Sequence, residues 1–223
     1  MICLLCQTKK YESDTLLQVL GLKKVLERPI CDDCNNQFAA IFTSCKGCGR
    51  HQGNNQLCTD CVRWQIDGKR LLQHRALYQY NDAMKLFMQR YKFYGEYAIR
   101  HVFNRKLKDL VKSRDTDMVV PIPVSYHTLM TRGFNQTIGL FENVRLTDLL
   151  VTIKSSKQRQ SKFSRYDRLN REQFFMIENK TAVIGKDITL VDDVYTTGMT
   201  LYHAADILYQ AGAKNVKSCS LAR

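Results

Sequence analysis

The chain has 223 residues, 44% hydrophobic and 25% charged, which fits one large domain or a domain with an appendage in a soluble globular protein. Eleven glycines and three prolines exclude a collagen-like or mostly disordered chain, and no apolar run approaches the ~20 residues of a membrane span. Two quantities are unusual, a formal net charge of +13 and nine cysteines.

The chain opens on MICLLCQTKK, an apolar stretch too short for a secretory signal peptide. A cytoplasmic setting without membrane insertion is therefore expected, where thiols stay reduced and serve metals more often than disulfides. Eight of the nine cysteines form four Cys-x-x-Cys pairs: Cys3 and Cys6, Cys31 and Cys34, Cys45 and Cys48, Cys58 and Cys61. Each such turn aims two thiolates at a point ~2.3 Å away, and two turns complete a tetrahedron, so up to two structural Zn²⁺ ions are expected. Sequential pairing gives Cys3, Cys6, Cys31 and Cys34 to one ion and Cys45, Cys48, Cys58 and Cys61 to the other. Spacing alone leaves a crossed pairing, or a single filled site, open. Residues 1–68 read as a double zinc-ribbon domain whose folding depends on metal, and residues 69–223 as a second domain. Cys219 lies far off in an apolar run and reads as a small core residue.

From residue 69 onward, strand-like runs alternate with helical periodicity. Residues 75–80, 117–122, 149–153, 181–184, 188–191 and 215–221 read as strands; 82–90, 96–112 and 200–211 read as helices. This alternation predicts an α/β fold with a parallel sheet flanked by helices, and with ligands outside the carboxyl ends of the strands. Residues 69–115 carry a net charge of +8 and residues 151–180 a net of +5. The first block holds Lys92, Arg105, Lys106, Lys108 and Lys112 beside Tyr91, Phe93, Tyr94 and Tyr97; the second holds Lys162 and Arg165 beside Phe163 and Tyr166. Basic residues with aromatic platforms suit single-stranded nucleic acid, where stacking adds ~1–3 kcal/mol per base. About half of these aromatics are expected in the core instead. Residues 154–171 are basic, Ser-rich and nearly free of aliphatics, and read as a mobile loop.

The run Ile188 to Val191 ends on two carboxylates, Asp192 and Asp193, followed by Thr196-Thr197-Gly198-Met199-Thr200 and a helix. A loop between a strand end and a helix N-terminus presents free N–H groups suited to phosphate. The threonine hydroxyls add donors, Gly198 allows close approach, and the carboxylates suit vicinal ribose hydroxyls or a Mg²⁺ ion.

These residues resemble the phosphoribosyl pyrophosphate (PRPP) signature of type I phosphoribosyltransferases. Residues 119–137, with Val-Val-Pro-Ile-Pro and Arg-Gly-Phe-Asn-Gln, resemble a block of the ComF family. Gln160, Arg168, Asn170 and Phe174, with the four Cys-x-x-Cys pairs, are similar to further parts of it. The resemblance implies a type I phosphoribosyltransferase-like sheet preceded by the double zinc ribbon. It implies Asp192 and Asp193 as catalytic and PRPP-binding residues, with Thr196, Thr197, Gly198, Met199, Thr200, Val124, Ser125 and Arg132 completing a Mg²⁺–PRPP site. The pyrophosphate loop would fall at 121–125, and 154–171 would close over the substrate. It further implies a competence role in natural transformation, with single-stranded DNA and a ComFA-like helicase or translocase as partners. The alternative is an active phosphoribosyltransferase, a glycosyltransferase that uses PRPP on an unidentified acceptor.

Overall fold

The computed structural model describes residues 2–9, 29–153 and 175–223. In chain order these form α1 (Asp32–Asn36), α2 (Thr59–Ile66), β1 (Arg75–Tyr78), α3 (Asp82–Phe93), a 3₁₀ turn (Tyr97–Val102), α4 (Asn104–Lys112), β2 (Met118–Pro121), α5 (Tyr126–Arg132) and α6 (Gln136–Leu140). After them come β3 (Leu150–Thr152), β4 (Phe175–Ile177), a second 3₁₀ turn (Thr181–Val183), β5 (Asp187–Val194), α7 (Met199–Gln210) and β6 (Asn215–Ala222).

Four strands make a wholly parallel sheet in the order β1-β6-β5-β2. The expected α/β architecture is therefore present. β5 is paired on both sides, with Leu190 opposite Val120 and Ser218. Its side chains alternate between two cores: Ile188 and Leu190 enter one, Val191 the other. This is the period-two pattern of a strand covered on both faces.

The core with Val191 is filled by Met84, Phe87 and Tyr91 of α3, Leu107 and Val111 of α4, and Cys219 of β6. The opposite core holds Leu201, Ala204, Ala205 and Leu208 of α7, the expected i, i+3, i+4, i+7 stripe. The cysteine pairs do not build a third core. Cys3, Cys31, Cys34 and Phe38 join the first core, and Cys45, Cys48 and Cys61 join the second. The N-terminal ribbon is thus packed into both sides of the body. Cys219 is fully buried, as expected.

Three sequence expectations change. Residues 96–112 are a 3₁₀ turn followed by α4, not one helix. The tighter turn sets the Tyr97 ring against Tyr91 (6.1 Å between centroids) and Phe134 (4.6 Å). Residues 149–153 do supply a strand, but β3 pairs antiparallel with β4, outside the main sheet. Residues 181–184 are a 3₁₀ turn and not a strand. The Asn179 side chain accepts from Thr181 Oγ1 (2.8 Å) and the Ala182 N–H (3.3 Å), an Asx-type turn. That turn drops Val183 into the core, which accounts for the apolar run without a strand.

Phe103 is 1% exposed and meets Phe38 and Phe87 edge-on, each at 5.0 Å. Phe103→Ala should therefore destabilise the chain by about 3–5 kcal/mol in chemical denaturation. A loss below ~1 kcal/mol would mean that ribbon and body do not share this core.

Candidate functional site

The cysteines gather in sequence order. Cys3, Cys6, Cys31 and Cys34 form one group and Cys45, Cys48, Cys58 and Cys61 a second, with the sulfurs of each group within 4.8 Å of one another. The separations test the fit to zinc. A tetrahedron of ~2.3 Å bonds has edges of about 3.8 Å; Cys6 and Cys31 lie 3.8 Å apart, and Cys45–Cys61 and Cys48–Cys58 each 3.6 Å. Backbone N–H groups of Gly47 (3.4 Å) and Cys58 (3.2 Å) donate to Cys45 Sγ, as that of Cys31 does to Cys3 Sγ (3.4 Å). These donors stabilise thiolates. The neighbouring Cys61 thiol, then Arg223, hold the Cys48 thiol down to about 4. Both groups thus have the chemistry of closed structural zinc sites.

At its carboxyl end, β5 delivers Asp192 and Asp193 side by side. Asp193 is 5% exposed. Two like charges so placed repel, and the structure supplies compensation from two helices, α3 and α6. The Lys92 ammonium of α3 forms an ion pair with Asp193 Oδ2. Gln136 Nε2 donates to Asp193 Oδ1 (3.2 Å), and Thr137 Oγ1 donates to Asp192 Oδ1 (3.2 Å). The Asp193 N–H also donates to Asp192 Oδ1 (2.8 Å). Burial, followed by the charge of Asp193, still pushes the Asp192 carboxyl well above the usual carboxylate range, while Lys92 opposes the rise.

Gln136 and Thr137 are held in place by helix capping. Asn135 is the N-cap of α6, accepting from the N–H groups of Thr137 (2.8 Å) and Ile138 (3.2 Å), and its own amide donates to Ile122 O (3.2 Å) beyond β2. Gly133 ends α5 at φ +83, a conformation that favours glycine. Val124 and Ser125 follow β2, with Ser125 capping α5 by accepting from the Thr128 N–H (3.1 Å). Arg132 donates to Gln136 Oε1 and lies over the Phe93 ring at 5.5 Å. It therefore stands one residue away from Asp193 through Gln136.

Thr196 and Thr197 form an exposed loop; Gly198, in the left-handed region at φ +87, is the N-cap of α7, and Met199 and Thr200 are its first residues. A Cβ at Gly198 would collide with the Tyr195 hydroxyl. The sequence-predicted carboxylates and loop are thus brought together at the end of the central strand. A cavity of about 680 Å³ beside the loop is walled by α2 and α7, including Arg63, Trp64, Thr196, Thr197 and Tyr202. Asp192 and Asp193 are not among its walls.

The basic residues divide. Arg105, Lys108 and Lys112 are exposed on α4. Lys106 turns to the ribbon, donating to Tyr78 Oη (2.5 Å) and Asn35 Oδ1 (3.2 Å). Lys92 stands at the carboxylate pair rather than on an outer face. Lys162 and Arg165, together with Gln160, Arg168, Asn170, Phe174 and the loop expected at 154–171, lie outside the described residues. Of four aromatics in the first block, Tyr91 is buried, while Phe93, Tyr94 and Tyr97 are exposed. Sequence does not single out Gln136 and Thr137; the signal for them is Asn135 as an N-cap, which puts both at the first turn of α6.

Residues 96–223 match the model of the phosphoribosyl transferase domain. Over the full length of both proteins, the chain is 36% identical to the competence protein ComFC of Streptococcus pneumoniae. It is 35% identical to the competence protein ComFC of Bacillus subtilis, with all of this chain and 95% of that protein covered. It is 24% identical to the DNA utilization protein YhgH of Escherichia coli O157:H7, with 87% of this chain and 90% of that one covered.

Two outcomes follow from this geometry. Elemental analysis of the purified chain should give two zinc ions per chain; one would mean that a cysteine group is not a metal site. The Asp192 carboxyl binds its proton more tightly folded than unfolded, so ionised Asp192 opposes folding at neutral pH, and the opposition fades as pH falls. Asp192→Asn should therefore raise the thermal midpoint at neutral pH, with the gain shrinking toward acid pH. An equal or lower midpoint at neutral pH would refute the strained pair.

Proposed function

The chain belongs to the ComFC family of competence proteins and carries a phosphoribosyl transferase domain, and from that premise we propose that it serves natural transformation by handling single-stranded DNA, with a Mg²⁺–PRPP or related ribose-phosphate site at the end of β5. The observation that carries the site is the braced carboxylate pair at the end of β5, followed directly by a Thr-rich loop at a helix N-terminus. In this reading the 5-phosphate lies on the N–H groups and hydroxyls of Thr196 to Thr200, with Gly198 giving the backbone its close approach. Asp192 and Asp193 take the ribose 2- and 3-hydroxyls. Val124, Ser125 and Arg132 flank the pyrophosphate side. Bound Mg²⁺ would neutralise charge on the pyrophosphate.

The DNA part of the proposal has its own support. Arg105, Lys108 and Lys112 share an exposed α4 face. Exposed Phe93, Tyr94 and Tyr97 stand in sequence beside Lys92. Bases adjoining a bound ribose phosphate would find stacking platforms there. The relatives' names, competence and DNA utilization, point to the same process. We place the division between ribbon and body near residue 68 and the protein in the cytoplasm, with a ComFA-like motor as partner. Among the described residues no helix is long and apolar enough to cross a membrane.

A second reading is favoured by the intact carboxylate pair: transfer of the ribosyl group to an acceptor. The chain's own part in that reaction would be to fix the phosphate and the ribose diol while positive charge develops at C1 and pyrophosphate leaves.

Calorimetric titration of Mg²⁺–PRPP into the zinc-loaded protein should show saturable binding, weakened at least ten-fold in Asp192→Asn/Asp193→Asn. No binding to wild type would remove the ligand site, and pyrophosphate release with a nucleophilic acceptor would favour the transferase reading. Replacing Arg105, Lys108 and Lys112 by Gln should weaken oligonucleotide binding and flatten its salt slope by about 2, at ~0.7 per lost phosphate contact. An unchanged slope would remove α4 from the DNA surface.

A further inference from the structure

We infer that Arg223 is a positioning residue that ties the second cysteine group to the phosphate loop and sets the direction of the loop's N–H donors. Its functional meaning rests on the ribose-phosphate reading above; its structural half stands without a ligand.

Arg223 follows β6 and is anchored by its backbone. Its N–H donates to Tyr78 O (2.9 Å), and its carbonyl accepts from the Tyr80 N–H (3.1 Å). The guanidinium lies over the Tyr195 ring at 4.5 Å. From there it reaches two ways. Nη1 donates to Thr196 O (2.8 Å) and, at longer range, to Tyr195 O (3.5 Å). Nη2 donates to Cys48 Sγ (3.4 Å). A guanidinium holds its donors in a rigid planar fork, so one cation engages a sulfur of the metal site and the loop in one geometry.

The consequence for the loop comes from peptide planarity. In a trans peptide, the carbonyl of one residue and the N–H of the next point in opposite directions. The Tyr195 and Thr196 carbonyls face Arg223, so the N–H groups of Thr196 and Thr197 face away from it, toward the exposed side of the loop. These are the donors a phosphate needs. The positive guanidinium behind them also reinforces the peptide dipoles.

A parallel path runs from the same knuckle. The His74 N–H donates to Gly47 O (2.8 Å), and the His74 ring packs on Tyr195 at 4.5 Å. The Tyr195 hydroxyl in turn occupies the space beside Gly198. The His74 ring is itself immobilised, with Nδ1 2.9 Å from Ser218 Oγ and Nε2 2.9 Å from Ser220 Oγ. Ser220 spends its own proton on Ala222 O (2.7 Å), so it accepts from Nε2–H, and Nδ1 accepts from Ser218. The loop therefore rests on the Cys45–Cys48 knuckle by two struts, one cationic and one aromatic. A thiolate held by zinc gives Arg223 a permanent anionic partner, and coupling of this kind is reciprocal.

The test uses the zinc-loaded full chain, with Arg223→Gln and the conservative Arg223→Lys. Amide hydrogen exchange without ligand should be on the order of ten-fold faster at residues 195–200 in Arg223→Gln and intermediate in Arg223→Lys, with β5 protection and zinc content unchanged. Mg²⁺–PRPP should bind about ten-fold more weakly to Arg223→Gln. Ribose 5-phosphate should slow chelator extraction of one of the two zinc ions in wild type but not in Arg223→Gln. Exchange at 195–200 equal to wild type in both variants overturns the strut, whatever PRPP does. Faster exchange without any PRPP binding to wild type keeps the strut and refutes the ribose-phosphate reading. If Arg223→Gln loses zinc or exchanges rapidly throughout, Arg223→Lys carries the comparison.

Discussion

Two carboxylates side by side at the end of the central strand are the constraint around which the body is arranged. Without compensation, such a pair would force water or a proton into the crevice. Lys92 reaches it from α3, and Gln136 and Thr137 from the first turn of α6. That turn is set by Asn135, which is itself tied to the strand end at Ile122. Two separate helices therefore converge on one charge cluster. The cluster remains strained, with Asp192 held toward its protonated form. Carboxylates perturbed in this way cluster at functional sites.

The cysteine groups extend this logic. A small ribbon cannot bury enough apolar surface to fold alone, and here it does not try to. Each group of four sulfurs borders one of the two cores of the body. The first lies against Phe38, Tyr78 and Phe103; the second lies under α7 and behind the loop at 195–198. Metal held there would shape the walls of the α/β domain as well as the ribbon. Eight thiolates around two divalent ions would leave the ribbon acidic, and the positive excess lies in the body, in residues 69–115 and 151–180.

Much of this was legible in the sequence because the decisive signals are local. Four Cys-x-x-Cys spacings, the strand-carboxylate-threonine-helix order at 188–200 and the apolar stripe of α7 each reveal themselves within a dozen residues. What sequence could not show is pairing at a distance. Lys92 reads as one of many lysines in a basic block until α3 brings it to Asp193, and Arg223 reads as an unremarked end to β6. Lys106 likewise reads as a surface charge, yet it is bound to Tyr78 and Asn35 across the ribbon contact. The run at 181–184 departs from its expected strand for a related reason. Its apolar residues carry the signature of burial, and burial in a turn stapled by Asn179 looks the same as burial in a strand.

A crystal structure of the zinc-loaded chain with Mg²⁺ and PRPP is the most direct measurement. It should show the 5-phosphate on the N–H groups of Thr196 to Thr200, the ribose hydroxyls on Asp192 and Asp193, and Arg223 behind the loop between Thr196 O and Cys48 Sγ. A ligand bound elsewhere, or a saturated crystal with nothing at the carboxylate pair, would contradict it.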